Sequence, residues 1–285
     1  MTDERGFCMS GIDMHIHTTA SDGSNAPAVV VRMAAEAGYQ AIAITDHDNT
    51  NGVHEAQEAA KEYGLEVVPG IELSTQWNGT EVHVLGYYVT PGAESLADLL
   101  GWALNQRNIR NTRIVEKLQE MNIPISMEEL RAKFPSTVLG RPHIGTILME
   151  KGYATDMKDA FAKYLGKTGC CYVRRVNLPM EDAIRRILQA GGLPVLAHPY
   201  QYELPEPKLR ELISVVKQNG GVGMECIYSK YDAAQSGHLL ELAKEYDLLP
   251  TGGSDYHGKS KPNIQIGTTR APYAYLEALK KAAGR

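Results

Sequence analysis

The sequence predicts an α/β protein whose strands form a parallel sheet able to close into a barrel. Three observations lead there. Strand-like and helix-like segments alternate over the first ninety residues. That alternation stops near residue 97 and resumes near residue 178. Six of the nine histidines stand in short segments read as strands or strand ends, most of them close to acidic residues, and a seventh, His143, follows Arg141-Pro142. Alternation of this kind builds parallel strands with helical crossovers, and about seven strands suffice to close a barrel.

The elements follow in order. Residues 11–18 read as a strand. Residues 26–37 read as a helix, with Ser24 or Asn25 as cap, Pro27 in its first turn and Gly38 as its stop. The apolar run 41–46 is a buried strand, 53–63 a helix ending at Gly64, and 66–73 a third strand. Asn78-Gly79 is a hairpin-like turn ahead of a fourth strand, 81–89. From there to residue 177 every pattern is helical: 96–121, then 126–134 behind the capping box Ser126-Met127-Glu128-Glu129, then 142–151 and 156–164. Helices at 179–190, 208–218, 233–246 and 273–283 then alternate with strands at 193–197, 222–228 and 249–253. The expected division is a barrel from 11–96 and 178–285, with a helical insert over 97–177 capping the substrate.

Bulk properties narrow the class. With 43% hydrophobic and 22% charged residues, the chain has the composition of a soluble globular protein. It has no apolar run near the ~20 residues of a membrane span and no secretory pattern. Residues 1–10 are expected to be a short leader without structural role. Four cysteines, Cys8, Cys170, Cys171 and Cys226, form no CxxC pair, which fits a reducing cytoplasm. The net charge of −5 is uneven: residues 101–175 hold thirteen Lys and Arg against seven Asp and Glu, or +6, leaving −11 elsewhere. A basic insert suits an anionic ligand, and an acidic remainder suits cations. GxSxG is absent, so serine-hydrolase chemistry has no support.

The motifs point to metal. His15 and His17 alternate by two, so an extended chain puts both imidazoles on one side. Asp22 lies in the turn that follows. Asp46-His47-Asp48 ends a buried run, where ionisable groups need partners such as cations. Glu72 closes the third strand, and one carboxylate can bridge two ions. His83 sits in an otherwise apolar strand, His198 follows Leu-Pro-Val-Leu-Ala, and Asp255 and His257 follow Thr-Gly-Gly-Ser. Strand ends converge on one face of a parallel barrel, so a single polynuclear site is expected, and imidazole with carboxylate suits Zn, Mn or Fe. Asp13, Asp46 and Asp48 are expected to stand behind the ligands and orient their imidazoles. Glu225 reads as structural. His54 and His238 fall on polar helix faces. In the insert, Arg141-Pro142-His143 opens a helix whose free N–H groups suit an anion, with Arg141 as a bidentate grip. Arg107, Arg110 and Arg113, three apart, are expected along one helical face.

On DMHIHTTASDG, ITDHD, GIEL, AHP and GSDYH, spread in that order over residues 12–257, the chain resembles the polymerase-and-histidinol-phosphatase (PHP) family of metal-dependent phosphoesterases. The resemblance implies a distorted (β/α)7 TIM-like barrel with two or three divalent metals. It assigns one metal to His15, His17, Glu72 and Asp255, a second to Asp22, His47 and His257, and a third to Glu72, His83 and His198. The insert bearing RPHIG resembles the members that act on nucleoside 3′,5′-bisphosphates and on 5′ ends of short RNA. The implied chemistry is in-line attack on phosphorus by metal-activated water. Arg141, His143 and Arg107 would bind substrate, and His143, Arg141 and Asp255 would assist catalysis. Competing expectations are a small-metabolite phosphatase such as one for histidinol phosphate, a non-catalytic metal-stabilised module, and a deaminase-like amidohydrolase. The last needs a strand-end lysine that is not found. No membrane or protein partner is expected.

Overall fold

The computed structural model describes residues 11–285 apart from 136, so the expected leader lies outside the described residues. The chain runs β1 (Gly11–Ile16), α1 (Pro27–Glu36), β2 (Tyr39–Ile44), α2 (Gly52–Ala60), β3 (Glu66–Trp77) and β4 (Thr80–Tyr87). The helices α3 (Glu94–Glu120), α4 (Met127–Lys133), α5 (Arg141–Glu150) and α6 (Met157–Ala160) follow, the last running into a π-helical turn at Phe161–Leu165. Then come β5 (Leu178–Pro179), α7 (Met180–Gln189), β6 (Leu193–Leu196), α8 (Glu206–Gln218), β7 (Gly223–Tyr228), α9 (Ala233–Glu245), β8 (Leu249–Gly253) and α10 (Tyr273–Ala282).

The sheet follows the order β1-β2-β3-β4-β6-β7-β8, with the two-residue β5 attached to β3. A parallel bridge between Ile16 and Tyr256 brings its two ends together, making a nearly closed barrel. One expectation fails: the sheet is not wholly parallel. β4 runs antiparallel to both β3 and β6. The cause is local. Asn78 and Gly79 both take positive φ (46° and 79°), the conformation of the two-residue turn that folds a strand straight back. β3 also runs on to Trp77, so Glu72 lies inside the strand and not at its end.

Apolar side chains inside the barrel, among them Ile12, Met14, Leu85 and Val195, form one cluster. Others join sheet to helices. Ile114, Leu118, Ile144, Leu148 and Cys171 form a separate cluster among α3 to α6. Helix α3 serves two cores: Leu96 and Leu99 pack with Ile184 and Ile187 of α7, while Ile114 and Leu118 enter the helical cluster. Among the described residues, no helix is long and apolar enough to cross a membrane.

Candidate metal centre

The rim of the barrel gathers the predicted histidines and carboxylates. Extended β1 sets His15 Nε2 and His17 Nε2 3.2 Å apart, both fully buried. Glu72 Oε2 lies 3.3 Å and 3.1 Å from those nitrogens, and Asp255 Oδ1 lies 3.7 Å and 3.3 Å from them. β8 passes close enough that a Cβ on Gly253 would lie 2.4 Å from that of His15, so only glycine lets Asp255 approach. A second group forms around Asp22 Oδ1, with His257 Nε2 at 3.2 Å, His17 Nδ1 at 3.9 Å and His47 Nε2 at 4.0 Å. A third surrounds the rest of Glu72: His83 Nδ1 and His198 Nε2 stand 2.8 Å and 3.0 Å from Oε1, and His47 Nδ1 stands 3.0 Å from Oε2. His83 reaches this rim from the first half of β4, because that strand enters where parallel strands would leave.

The nine expected ligands therefore converge, and the second and third groups each gain a histidine, His17 and His47. The donor sets fit divalent cations. Despite these short approaches, His17 Nδ1, Asp22 Oδ1, His47 Nδ1, Glu72 Oε2 and His198 Nδ1 are buried without a well-aligned hydrogen bond among the described residues. Each such group costs about 1–3 kcal/mol unless something satisfies it. Asp48, His198 and Asp255 also hold positive φ (49°, 23° and 56°), strain of about 1–3 kcal/mol per residue that clusters at functional sites. Burial opposes charge throughout, but the imidazoles, led by His47, hold the Glu72 carboxyl well below its usual range. The carboxylates in turn hold His17 and His83 up at about 9 against their burial. Binding a cation there would release protons.

The residues behind the ligands differ from expectation. Asp46 accepts from Thr18 N, Thr18 Oγ1 and Ser21 Oγ and so shapes the turn after β1. Asp13 accepts from His15 N and Ser254 N, tying β1 to the end of β8. Asp48 meets Arg107, Arg175 and Ser74 N. These three carboxylates brace backbone and arginines; none hydrogen-bonds an imidazole among the described residues. That role falls to Glu225 on β7, read from the sequence as structural. Its Oε1 lies 3.1 Å from His15 Nδ1 and its Oε2 accepts from His198 N at 2.9 Å. It thereby fixes the tautomer that turns the His15 Nε2 lone pair inward. A fully buried acid in an otherwise apolar strand was the available signal. Tyr228 Oη and Lys261 Nζ each donate to Asp255 Oδ2 at 2.6 Å.

Outside the cluster opens a cavity of about 690 Å³, lined by Asp22, His47, His83 and His257 together with Arg107, Arg110, Arg141 and Arg175. The expected arginine row is not one face. Arg107 and Arg110 are buried in this wall, whereas Arg113 is exposed. Steps of three fall about 60° short of a turn, so two steps rotate a side chain by about 120°. Arg107 is held by Asp48 at 2.7 Å and Ser74 Oγ at 3.0 Å. Arg175 pairs with Asp48 and Glu81. Arg110 hydrogen-bonds the neutral amide of Asn111 and forms no ion pair among the described residues. Sequence reading passed over Arg175 and gave Arg110 no separate role. Arg141, at the start of α5, donates to Leu165 O at 3.3 Å and stacks 5.5 Å above the Phe161 ring. His143 does not line the cavity. Its Nδ1 accepts from Gly140 N at 2.9 Å, and burial lowers its pKa, leaving a neutral ring near Asp22 and the Ser21 backbone.

A barrel rim with clustered imidazoles and carboxylates beneath an arginine-lined cavity defines a metallohydrolase built for an anionic substrate. The chain belongs to the PHP family: residues 13–169 match the PHP domain. It is a PHP-family metal-dependent phosphoesterase. It is 35% identical over 259 residues to the 5′-3′ exoribonuclease Rnm of Escherichia coli, covering 90% of this chain and 87% of that protein. It is 35% identical to the phosphoribosyl 1,2-cyclic phosphate 1,2-diphosphodiesterase of Eggerthella lenta (87% and 94% covered) and 30% identical to the 3′,5′-nucleoside bisphosphate phosphatase of Chromobacterium violaceum (92% of each). The crystal structure of a protein described as a metal-dependent phosphoesterase from Bifidobacterium adolescentis superposes with a TM-score of 0.87 at 31% identity, covering 96% of each chain.

Proposed function

We propose that this enzyme hydrolyses nucleotide phosphoesters, such as nucleoside 3′,5′-bisphosphates or the 5′ ends of short RNA. The scissile phosphate would sit at the histidine–carboxylate cluster and a second phosphate at the arginines. One observation carries the reading: a single cavity is lined both by cluster residues and by four arginines, one of them, Arg110, buried without a carboxylate partner among the described residues. The names of the Escherichia and Chromobacterium relatives point the same way. A small-metabolite phosphatase would not need that second, cationic wall.

His15, His17, Glu72 and Asp255 would hold one cation, Asp22, His47 and His257 a second, and Glu72, His83 and His198 a third. Bound Mn, Zn or Fe would neutralise phosphate oxygens and acidify water. Glu225 keeps His15 oriented. Arg110 and Arg141 grip the distal phosphate and so orient the ester for in-line attack. His143 supports the α5 terminus beside Asp22, accepting from Gly140 N, and acts on the substrate only by positioning that helix end. Residues 97–177 act as the cap that brings these arginines over the barrel. A cytoplasmic setting suits the unpaired Cys170, Cys171 and Cys226.

The test is phosphate release in Mn²⁺ from adenosine 3′,5′-bisphosphate, 5′-phosphorylated short RNA, AMP and histidinol phosphate. The reading expects the bisphosphate or RNA to give the highest kcat/KM. A preference for histidinol phosphate would overturn it.

A further inference from the structure

Away from the barrel rim, the end of α3 and the loop after the π-helical turn bring three sulfurs together. Cys170 Sγ lies 3.9 Å from Cys171 Sγ, and each lies 3.6 Å from Met121 Sδ. We propose that Met121, Cys170 and Cys171 form a surface binding site for a soft monovalent cation, copper(I).

Packing does not account for the arrangement. Cys171 is buried in the helical cluster, but Cys170 is exposed and Met121 is 47% exposed. The point equidistant from the three sulfurs lies about 2.1 Å from each, close to the ~2.3 Å of a metal–thiolate bond, so an ion needs only a slight spreading of the donors. The donor set selects the ion. Two thiolates and a thioether are soft ligands that favour copper(I), whereas zinc prefers four ligands and hard cations prefer oxygen.

The backbone presents the sulfurs in place. Cys170 N donates to Lys163 O and Cys171 N to Tyr164 O, both at 3.0 Å, and Lys117 Nζ ties Tyr172 O back to α3 at 3.2 Å. A solvent path exists through the exposed Cys170. Burial, with Cys170 alongside, pushes the Cys171 thiol up to about 12. The site therefore takes its cation in exchange for protons: each thiol releases H⁺ to solvent as its sulfur binds, copper stays monovalent, and no electron moves. The cation replaces the S–H contacts; the Lys117 ammonium favours the resulting thiolate pair and the Glu120 carboxylate opposes it.

The experiment is anaerobic titration of the reduced, Mn-loaded full-length enzyme with copper(I) against a chromophoric chelator, with X-ray absorption at the copper edge. The expected result is one tightly held equivalent in a shell of three sulfurs. Met121→Leu keeps the side-chain volume and should weaken binding at least about tenfold, leaving two sulfurs in the shell. Cys170→Ser, at an exposed position, should abolish the site, whereas Cys8→Ser should retain it. Phosphatase activity and melting temperature of the variants report that they fold. Wild-type affinity in Cys170→Ser or Met121→Leu overturns the proposal. So does a nitrogen-dominated shell, which would place the copper among the histidines, or displacement of copper by equimolar Zn²⁺.

Discussion

Replacing Glu72 by Gln should disable this enzyme more than any other isosteric change at the rim. The two Glu72 oxygens stand 2.8–3.3 Å from nitrogens of His15, His17, His47, His83 and His198, so this carboxylate belongs to two of the donor groups at once. Gln keeps the volume and removes the charge. A unit charge about 4 Å from a cation, at an effective dielectric near 20, contributes about 4 kcal/mol. That is roughly a thousandfold in affinity for each ion concerned. Asp22 touches one group only, with His257 at 3.2 Å and its other imidazoles near 4 Å. Asp22→Asn should therefore lose less, by at least about tenfold, or 1.4 kcal/mol. The assay is elemental analysis of the purified variants beside kcat/KM in Mn²⁺, with circular dichroism to confirm folding. Full metal content and near-wild-type turnover in Glu72→Gln would refute the bridging role. Equal losses in the two variants would refute the ranking.

Other outcomes follow from the same geometry. Chelation should abolish phosphatase activity and Mn²⁺ or Zn²⁺ should restore it; active enzyme without metal by elemental analysis would end this account. Arg110→Gln and Arg141→Ala should each lose about 1.5–3 kcal/mol in kcat/KM, roughly ten- to over a hundredfold, on a bisphosphate, and much less on p-nitrophenyl phosphate. Equal losses on both substrates would place the arginine at the reacting phosphate instead. Asp48→Ala leaves buried Arg107 without its carboxylate and Arg175 with Glu81 alone, and should cost about 3–5 kcal/mol in urea unfolding; a wild-type midpoint would contradict that. The same carboxylate gives a pH signature. Burial pushes its pKa up, but Arg107 and Arg175 outweigh this and hold it at about 2. Its contribution is present above its ordinary 3.8 and is lost as pH falls through 2. The stability gap between wild type and Asp48→Asn should narrow from pH 4 to pH 2; a gap constant over that range would count against the ion pair.

Much of the centre was legible in one dimension. Period-two spacing placed His15 and His17 on one side of a strand. Acids and histidines after apolar runs marked Asp46-His47, His198 and Asp255 as rim residues, because charge at the end of a buried strand demands a partner. The uninterrupted helical patterns between residues 97 and 177 anticipated α3 to α6. Asn78-Gly79 was recognisable as a turn, but treating β4 as another parallel strand missed its consequence.

What the sequence alone determined is the chemistry: which side chains can bind metal, which can bind phosphate, and the strand ends that carry them. Those properties are local, set by residue type and by periods of two and 3.6. Only the tertiary structure decided the partners. Asp46 braces a turn, Asp48 faces two arginines, Glu225 orients His15 from 210 residues away, and Arg110 lies buried while Arg113 is exposed. Such choices depend on which strand lies beside which, on one antiparallel hairpin, and on the twist of a 27-residue helix crossing two cores. They are fixed by packing among segments far apart in the chain, and local spacing carries no record of it.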